Sequence, residues 1–253
     1  MAKLYNIGTN KQGLIVYNGE SSADYGMVIS EAPTFEKPQR KQTAFTVPGR
    51  NGAVIFQEDA WEDVTRNYKV WLSKSKEADL AKTVNAFSAW LNSQKGYLRL
   101  EDNFEPDIFR LAYYSGGNNI SNELMQYGET TLTFTCRPER FYKEAQAEVR
   151  CATSSPYTSI YNPTRFTSKP LLHIEMNTTA KKKFQLGGKI FWLEGVTDYV
   201  NIDCETMNVY RQPGENKNSC FSGDFPVMVP GNNTMALISG VTYITVRPRF
   251  FTI

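Results

Sequence analysis

Val47-Pro48-Gly49-Arg50-Asn51-Gly52 sets two tight-turn signals back to back within six residues. Proline presets φ at about −65° and glycine accepts the positive φ that follows, so Pro48-Gly49 suits a type II turn. Asn51-Gly52 suits a type I′ turn, whose central residues both take positive φ and whose twist matches a β-hairpin. Strand-like runs flank the turns, Thr43-Ala44-Phe45-Thr46-Val47 before them and Ala53-Val54-Ile55-Phe56 after. The segment reads as a long hairpin arm with a shaped tip. Such an arm is better suited to reach a neighbour than to build a catalytic pocket.

Downstream of the arm one helix is expected over residues 76–94. Leu80, Val84, Phe87 and Leu91 recur at helical spacing, with Ala81 and Trp90 widening the same face. Ser75 can cap its start, Glu77 and Asp79 suit the positive end of the dipole, and Gly96 is placed to stop it. A helix covering one face of a sheet explains this pattern without a cofactor. Tyr68-Lys69-Val70-Trp71-Leu72 and Tyr97-Leu98-Arg99-Leu100 flank it as strands. Thr131-Leu132-Thr133-Phe134-Thr135-Cys136 alternates, with Leu132, Phe134 and Cys136 on the buried face.

After Pro138-Glu139-Arg140-Phe141-Tyr142 the texture changes. Residues 143–170 are polar and proline-punctuated, which reads as a connector with irregular entry strands and sets a domain boundary between 144 and 145. Strands are expected at 171–176, 181–186, 189–193, 199–204, 207–211, 235–238 and 241–246. Gly-containing turns separate them, which argues a β-sandwich of jelly-roll type. The fold class is therefore mainly β: a β-rich α+β domain over 1–144, then a sandwich over 145–253.

The chain has 253 residues, 41% hydrophobic and 21% charged, a composition that buries cores and argues against disorder. Aromatics at 13% favour strands or broad interfaces. Residues 1–143 hold 17 basic and 17 acidic side chains, and residues 144–253 hold 11 and 9. Neither half has the surplus needed to grip phosphates, so a dedicated nucleic-acid binder is excluded. The longest aliphatic-aromatic run, Ile190-Phe191-Trp192-Leu193, is too short to span a bilayer, and no membrane insertion is expected. Met1-Ala2-Lys3-Leu4-Tyr5-Asn6 lacks the apolar core of a signal peptide, so the protein is expected to be made and kept in cytosol or released by lysis.

No catalytic set stands out. His173 is the sole histidine, on the strand face opposite Leu172, Ile174 and Met176, where a structural role is expected. Ser-His-Asp and Cys-His chemistry are correspondingly poor fits. Cys136, Cys151, Cys204 and Cys220 are widely spaced and read as buried small hydrophobes, with disulfides or a zinc site as alternatives. The acidic loop Glu101-Asp102-Asn103-Phe104-Glu105-Pro106-Asp107 fails the EF-hand pattern and reads as solvated, although a glycosidase carboxylate pair is also weighed. Ser115-Gly116-Gly117-Asn118-Asn119 reads as a turn, and Lys181-Lys182-Lys183 as a solvated hairpin edge. Tyr157, Tyr161 and Phe166 could stack on sugar rings, but packing in an interdomain seam is the default expectation. No catalytic residue, cofactor site or metal site is assigned.

These residues resemble a known family, the distal tail proteins of long, non-contractile tails of phages infecting Gram-positive hosts. The likeness rests first on Tyr25-Gly26-Met27-Val28-Ile29-Ser30, then Pro33, then the Pro-Gly-Arg-Asn-Gly hairpin, then the helix and Gly96-Tyr97-Leu98. It continues through Val200-Asn201-Ile202-Asp203-Cys204-Glu205, Gly223-Asp224-Phe225-Pro226 and Pro230-Gly231-Asn232-Asn233-Thr234. It closes on Val246-Arg247-Pro248-Arg249-Phe250. The text looks like the version carried by lactococcal temperate phages with large baseplates.

The resemblance implies a homohexameric ring at the tail tip, assembled in the host cytoplasm and carried in the virion. It implies that residues 1–144 form the ring and its channel, through which DNA passes without specific binding. The arm residues Val47, Pro48, Gly49, Arg50, Asn51 and Gly52 would clasp the adjacent subunit. A galectin-like sandwich over 145–253 would project outward. Expected partners are the major tail protein, the tail-associated hub protein, and upper baseplate or receptor-binding proteins. The resemblance thus makes the chain a structural hub and not an enzyme. Two other readings are a module that recognises host cell-wall saccharide through the C-terminal sandwich, and a wall-degrading hydrolase.

Overall fold

The structure is a computed structural model that describes residues 13–34, 36–72, 80–93, 95–116, 128–178 and 180–253. It is mainly β with one α-helix among the described residues, and it divides into two compact units. The first comprises residues 1–140 with Ile253, and the second residues 141–252.

In the first unit, β1 (Ile15–Tyr17), β2 (Glu20–Ser21) and β3 (Met27–Ile29) come first, followed by the long pair β4 (Arg40–Thr46) and β5 (Ala53–Trp61). Then come β6 (Val64–Leu72), α1 (Leu80–Asn92), β7 (Leu98–Asp102), β8 (Ile108–Tyr114) and β9 (Glu129–Tyr142). The main sheet runs β2-β1-β7-β8-β9-β6-β3, and β4 and β5 form a separate two-stranded sheet. The alternation read from residues 131–136 holds, since Leu132, Phe134 and Cys136 are buried. Phe134 is ringed edge-on by Tyr17, Tyr68 and Tyr114 at 5.1, 6.0 and 5.6 Å. Helix α1 lies within the expected 76–94 and buries Val84, Phe87, Trp90 and Leu91. The Trp90 indole donates to the Tyr17 carbonyl at 3.2 Å, and its ring stacks on Tyr25. The capping residues Ser75, Glu77 and Asp79 lie outside the described residues.

The arm tip is half as expected. The Arg50 amide donates to the Val47 carbonyl at 3.2 Å and Gly49 takes φ +80°, which is the type II turn. The type I′ turn at Asn51-Gly52 is not formed. Gly52 has φ +81°, but Asn51 does not take positive φ. Pro48-Gly49 already reverses the chain, and Gly52 alone is needed to re-enter β5 opposite Thr46, which pairs with Ala53.

In the second unit, β10 (Val149–Ala152), β11 (Tyr157–Asn162), β12 (Leu171–Met176), β13 (Lys182–Leu186) and β14 (Lys189–Leu193) are followed by five more strands. These are β15 (Tyr199–Asp203), β16 (Asn208–Tyr210), β17 (Gly231–Ser239), β18 (Val241–Arg247) and β19 (Phe251–Thr252). Two antiparallel sheets, β10-β18-β12-β15-β16 and β11-β17-β13-β14, enclose one apolar core that includes Ile174, Phe184, Val200, Met235 and Ile244. Residues 143–170 were expected as a connector with irregular entry strands. They supply β10 and β11, whose alternating Cys151, Ile160 and Asn162 are buried despite the polar texture.

The loop at 101–107 also departs from expectation, because Asp102 and the Glu105 carboxylate are buried rather than solvated, while Asp107 stays exposed. Asp102 Oδ2 accepts from Arg66 at 2.8 Å and from the Tyr68 hydroxyl at 2.7 Å. Its Oδ1 accepts the amides of Phe104 and Glu105, each at 3.0 Å. Glu105 in turn bridges Arg66, Arg110 and Arg140. The loop is a folded turn built around a carboxylate, with the guanidinium of a distant strand closing it. A small cavity beside this network is lined by Thr34, Glu36 and Pro38, which lead into β4, and by Arg66, Arg110 and Arg140. The chain thus enters the arm over a fixed ionic floor.

Burial alone would raise the Asp102 carboxyl, but Arg66, the Tyr68 hydroxyl and the Glu105 amide together hold it below its ordinary value. Burial pushes the Tyr68 hydroxyl well above the usual phenol range, so it stays protonated and donates. Because Asp102 titrates lower folded than unfolded, its contribution is complete above about pH 4 and is lost as pH falls through the depressed folded value. Asp102→Asn is expected to cost about 3 kcal/mol in urea unfolding at neutral pH, since Arg66 loses its nearest counter-charge. The gap between parent and variant should narrow below about pH 4, and a gap constant down to about pH 2 would contradict this assignment.

Candidate assembly arm and outer sandwich surfaces

All seven residues of β4 are exposed, as are most of β5. At the spacing of extended strands this is a ribbon about 25 Å long. The register pairs Thr43 with Phe56 and Phe45 with Val54, so these four share one face. Phe45 and Phe56 meet edge-on across the diagonal at 5.6 Å, yet remain 53% and 62% exposed. Ile55, 55% exposed, shares the opposite face with Ala44, and Val47 leads into the tip. At the root, Arg40 lies over the Trp61 ring at 4.6 Å and the Glu62 amide donates to the Gln39 carbonyl. The arm is fastened at its base, polar through Lys41-Gln42 and Gln57-Glu58-Asp59, and apolar towards its tip.

Gly49 and Gly52 face open space, since a Cβ at either would meet nothing within 4 Å. What they supply is backbone conformation alone. Their positive φ is a strain that a β-branched residue would have to carry.

The other candidate residues are accounted for structurally. His173 sits on the outer face of the five-stranded sheet, with Nδ1 at 2.9 Å from Asn201 Oδ1 and Nε2 at 3.3 Å from Glu175 Oε1. Among the described residues no serine or cysteine is bonded to it. All four cysteines are buried free thiols, and burial raises Cys136 to about 11 and Cys204 to about 12, which keeps both protonated and unreactive. Among the described residues no cluster of His, Cys, Asp or Glu could hold a metal ion. Residues 117–119 of the glycine-rich turn lie outside the described residues.

The lysine run is a correction. Alternation along β13 turns Lys182 into the core, fully buried, where its ammonium donates to the Val196 carbonyl and burial lowers its pKa. Lys181 and Lys183 instead flank the Trp192 ring at 4.7 and 5.2 Å. The aromatic trio separates as well. Phe166 stacks on Phe251 at 5.5 Å, whereas Tyr157 and Tyr161 are 70% and 63% exposed.

The blocks quoted from the C-terminal half hold the sandwich together. Asp203 is gripped by Arg249 at 2.7 and 3.3 Å, which ties the end of β15 to the segment after β18. Asn233 is buried and bonds three backbone groups, at Val229 and Gly231, fixing the turn into β17. A sequence reading could quote these motifs but had no means of seeing that an Asp and an Arg 46 residues apart are one interaction.

Comparison with known proteins now bears on the fold. Residues 22–136, within the first unit, match the family model described as a phage tail protein RIFT-related domain. The crystal structure of SPP1 Dit, described as a paradigm of the hub adsorption apparatus in phages infecting Gram-positive hosts, superposes with a TM-score of 0.68 at 15% identity. That superposition covers 93% of this chain and 98% of that one. Chains of the phage P2 baseplate in its activated conformation, one with Ca and one with Sr, align at a TM-score of 0.47 and 9% identity over 95% of this chain and 99% of theirs. No curated protein matches. The lactococcal likeness rests on the sequence text alone. Residues 22–136 thus resemble a phage tail protein RIFT-related domain, and the chain shares along 93% of its length the fold of SPP1 Dit.

Proposed function

We propose that the chain is a structural hub of a phage tail tip, six copies of which close into a ring that joins the tail tube to the baseplate. Residues 1–144 form the ring and line a channel for DNA, and a galectin-like domain over 145–253 faces outward to baseplate or receptor-binding proteins. The major tail protein lies on one side and the tail-associated hub protein on the other. The ring assembles in the host cytoplasm, is carried in the virion, and transforms no substrate.

The observation that carries this reading is the uncovered arm. An isolated two-stranded ribbon is marginal in water, and this one displays Phe45, Ile55 and Phe56 to solvent. A neighbouring copy that covers those faces supplies the missing layer, and head-to-tail contacts of this kind close into rings. The zero net charge of residues 1–143 suits a channel that lets DNA slide without holding it. The likeness to SPP1 Dit, itself described as a hub, supports the same role.

Light scattering on the purified chain should give about six times its 28.7 kDa mass. Gly49→Val, which costs about 1–3 kcal/mol of backbone strain at the tip, and the pair Phe45→Ser with Phe56→Ser should both shift the protein towards monomer. Unfolding of the second unit should be unchanged in both. Variants that still form the full assembly would show that the arm does not join subunits.

A further inference from the structure

The outer face of the four-stranded sheet has no part in the ring reading, and it has a composition of its own. Along β11, Tyr157, Ser159 and Tyr161 point outward, while Ile160 and Asn162 turn to the core. The register places exposed Thr234 beside Ser159 and exposed Asn232 beside Tyr161. One strand further, Gln185 and Lys183 lie outward on β13, opposite Ile190 and Trp192 of the edge strand β14. Aromatic rings therefore stand on both edge strands, with hydroxyls and amides between them. Tyr157 and Tyr161 are about 13 Å apart along the strand, and β11 lies about 14 Å from β14.

Charge on this face has one sign. The four strands read Tyr-Thr-Ser-Ile-Tyr-Asn, Lys-Lys-Phe-Gln-Leu, Lys-Ile-Phe-Trp-Leu and Gly-Asn-Asn-Thr-Met-Ala-Leu-Ile-Ser, without one Asp or Glu. Lys183 has no carboxylate partner among the described residues. Lys181 has Glu194, just past β14, at 3.5 Å. The five-stranded sheet differs, because its strands carry an outward acid as well as a base, Glu175 beside His173 on β12 and Arg150 on β10.

We infer that this face binds an anionic glycan, a sugar polymer bearing phosphate or carboxylate groups. A pyranose ring offers an apolar C–H face to an aromatic side chain and hydroxyls at its rim. Separated rings with Ser, Thr, Asn and Gln between them match that alternation. A protein partner would instead be expected to find its aromatic anchors clustered in a contiguous, fully desolvated core. Tyr157 and Tyr161 carry the sugar rings, Ser159, Asn232 and Thr234 meet the hydroxyls between them, and Lys181 and Lys183 beside Trp192 meet the acid group. A single-stranded nucleic acid, with one charge per nucleotide, needs a longer basic track than these lysines provide.

The test is retention of the full chain on immobilised glycerol-phosphate teichoic acid carrying hexose substituents, with neutral dextran, polyphosphate and single-stranded DNA as parallel probes. Saturable binding to the teichoic acid, weaker on dextran and absent on polyphosphate and DNA, is expected. Tyr157→Ala, Tyr161→Ala and Trp192→Ala should each weaken it about tenfold, and Lys183→Gln should weaken it while reducing its salt dependence. These side chains are exposed, so thermal melts and assembly mass should match the parent, and a loss of ring formation is read separately from a loss of binding. No binding to teichoic acid overturns the inference. So does binding that survives all three aromatic variants, equal binding to polyphosphate or DNA, or the same residues serving only to hold a baseplate protein.

Discussion

A two-stranded ribbon has two faces and no second layer to cover either. Nearly every other strand in this chain is relieved of that problem within its own unit. The main sheet of the first unit is covered by α1, whose Phe87, Trp90 and Leu91 are buried, and the sandwich sheets cover each other. The arm is left with Phe45, Ile55 and Phe56 in solvent. Hydrophobic burial scales with apolar area removed from water, so this region gains most from a second molecule. The proposed contact between subunits rests on this uncovered ribbon.

An arm that docks must also be held at a defined angle, and its root explains how. The Arg66–Asp102–Glu105 cluster is buried, bonded to Tyr68, Arg110 and Arg140, and set beside Thr34, Glu36 and Pro38, which precede β4. A buried ionic network of this type adds little net stability over an apolar packing, yet breaking one member is expensive. Its value here is directional, because a guanidinium fork and a carboxylate fix one geometry where aliphatic side chains would allow several.

Much of this was legible in the sequence because it is local. The Pro48-Gly49 turn, the alternation of Leu132, Phe134 and Cys136, and the apolar stripe of α1 each depend on residues within a few positions. What was missed is nonlocal. The loop at 101–107 reads as solvated because Arg66 lies 36 residues from Asp102, and only the sheet brings them together. Lys182 looks like one of three surface cations until the pairing of β13 with β14 and β17 decides which face is inward. The bounds of β10 and β11 were not legible in a polar stretch, because an outward face of Tyr, Ser and Tyr obscures the inward Ile160 and Asn162. Asn51-Gly52 carried a sound turn signal, but the chain had already been reversed one step earlier.

The central claim is that this chain works by shape and by contact with copies of itself. Negative-stain imaging of the purified, full-length protein tests it most directly. Closed rings of six subunits around an open lumen are the predicted result. Solitary two-lobed particles, unchanged when tail-tube and baseplate components are added, would contradict it.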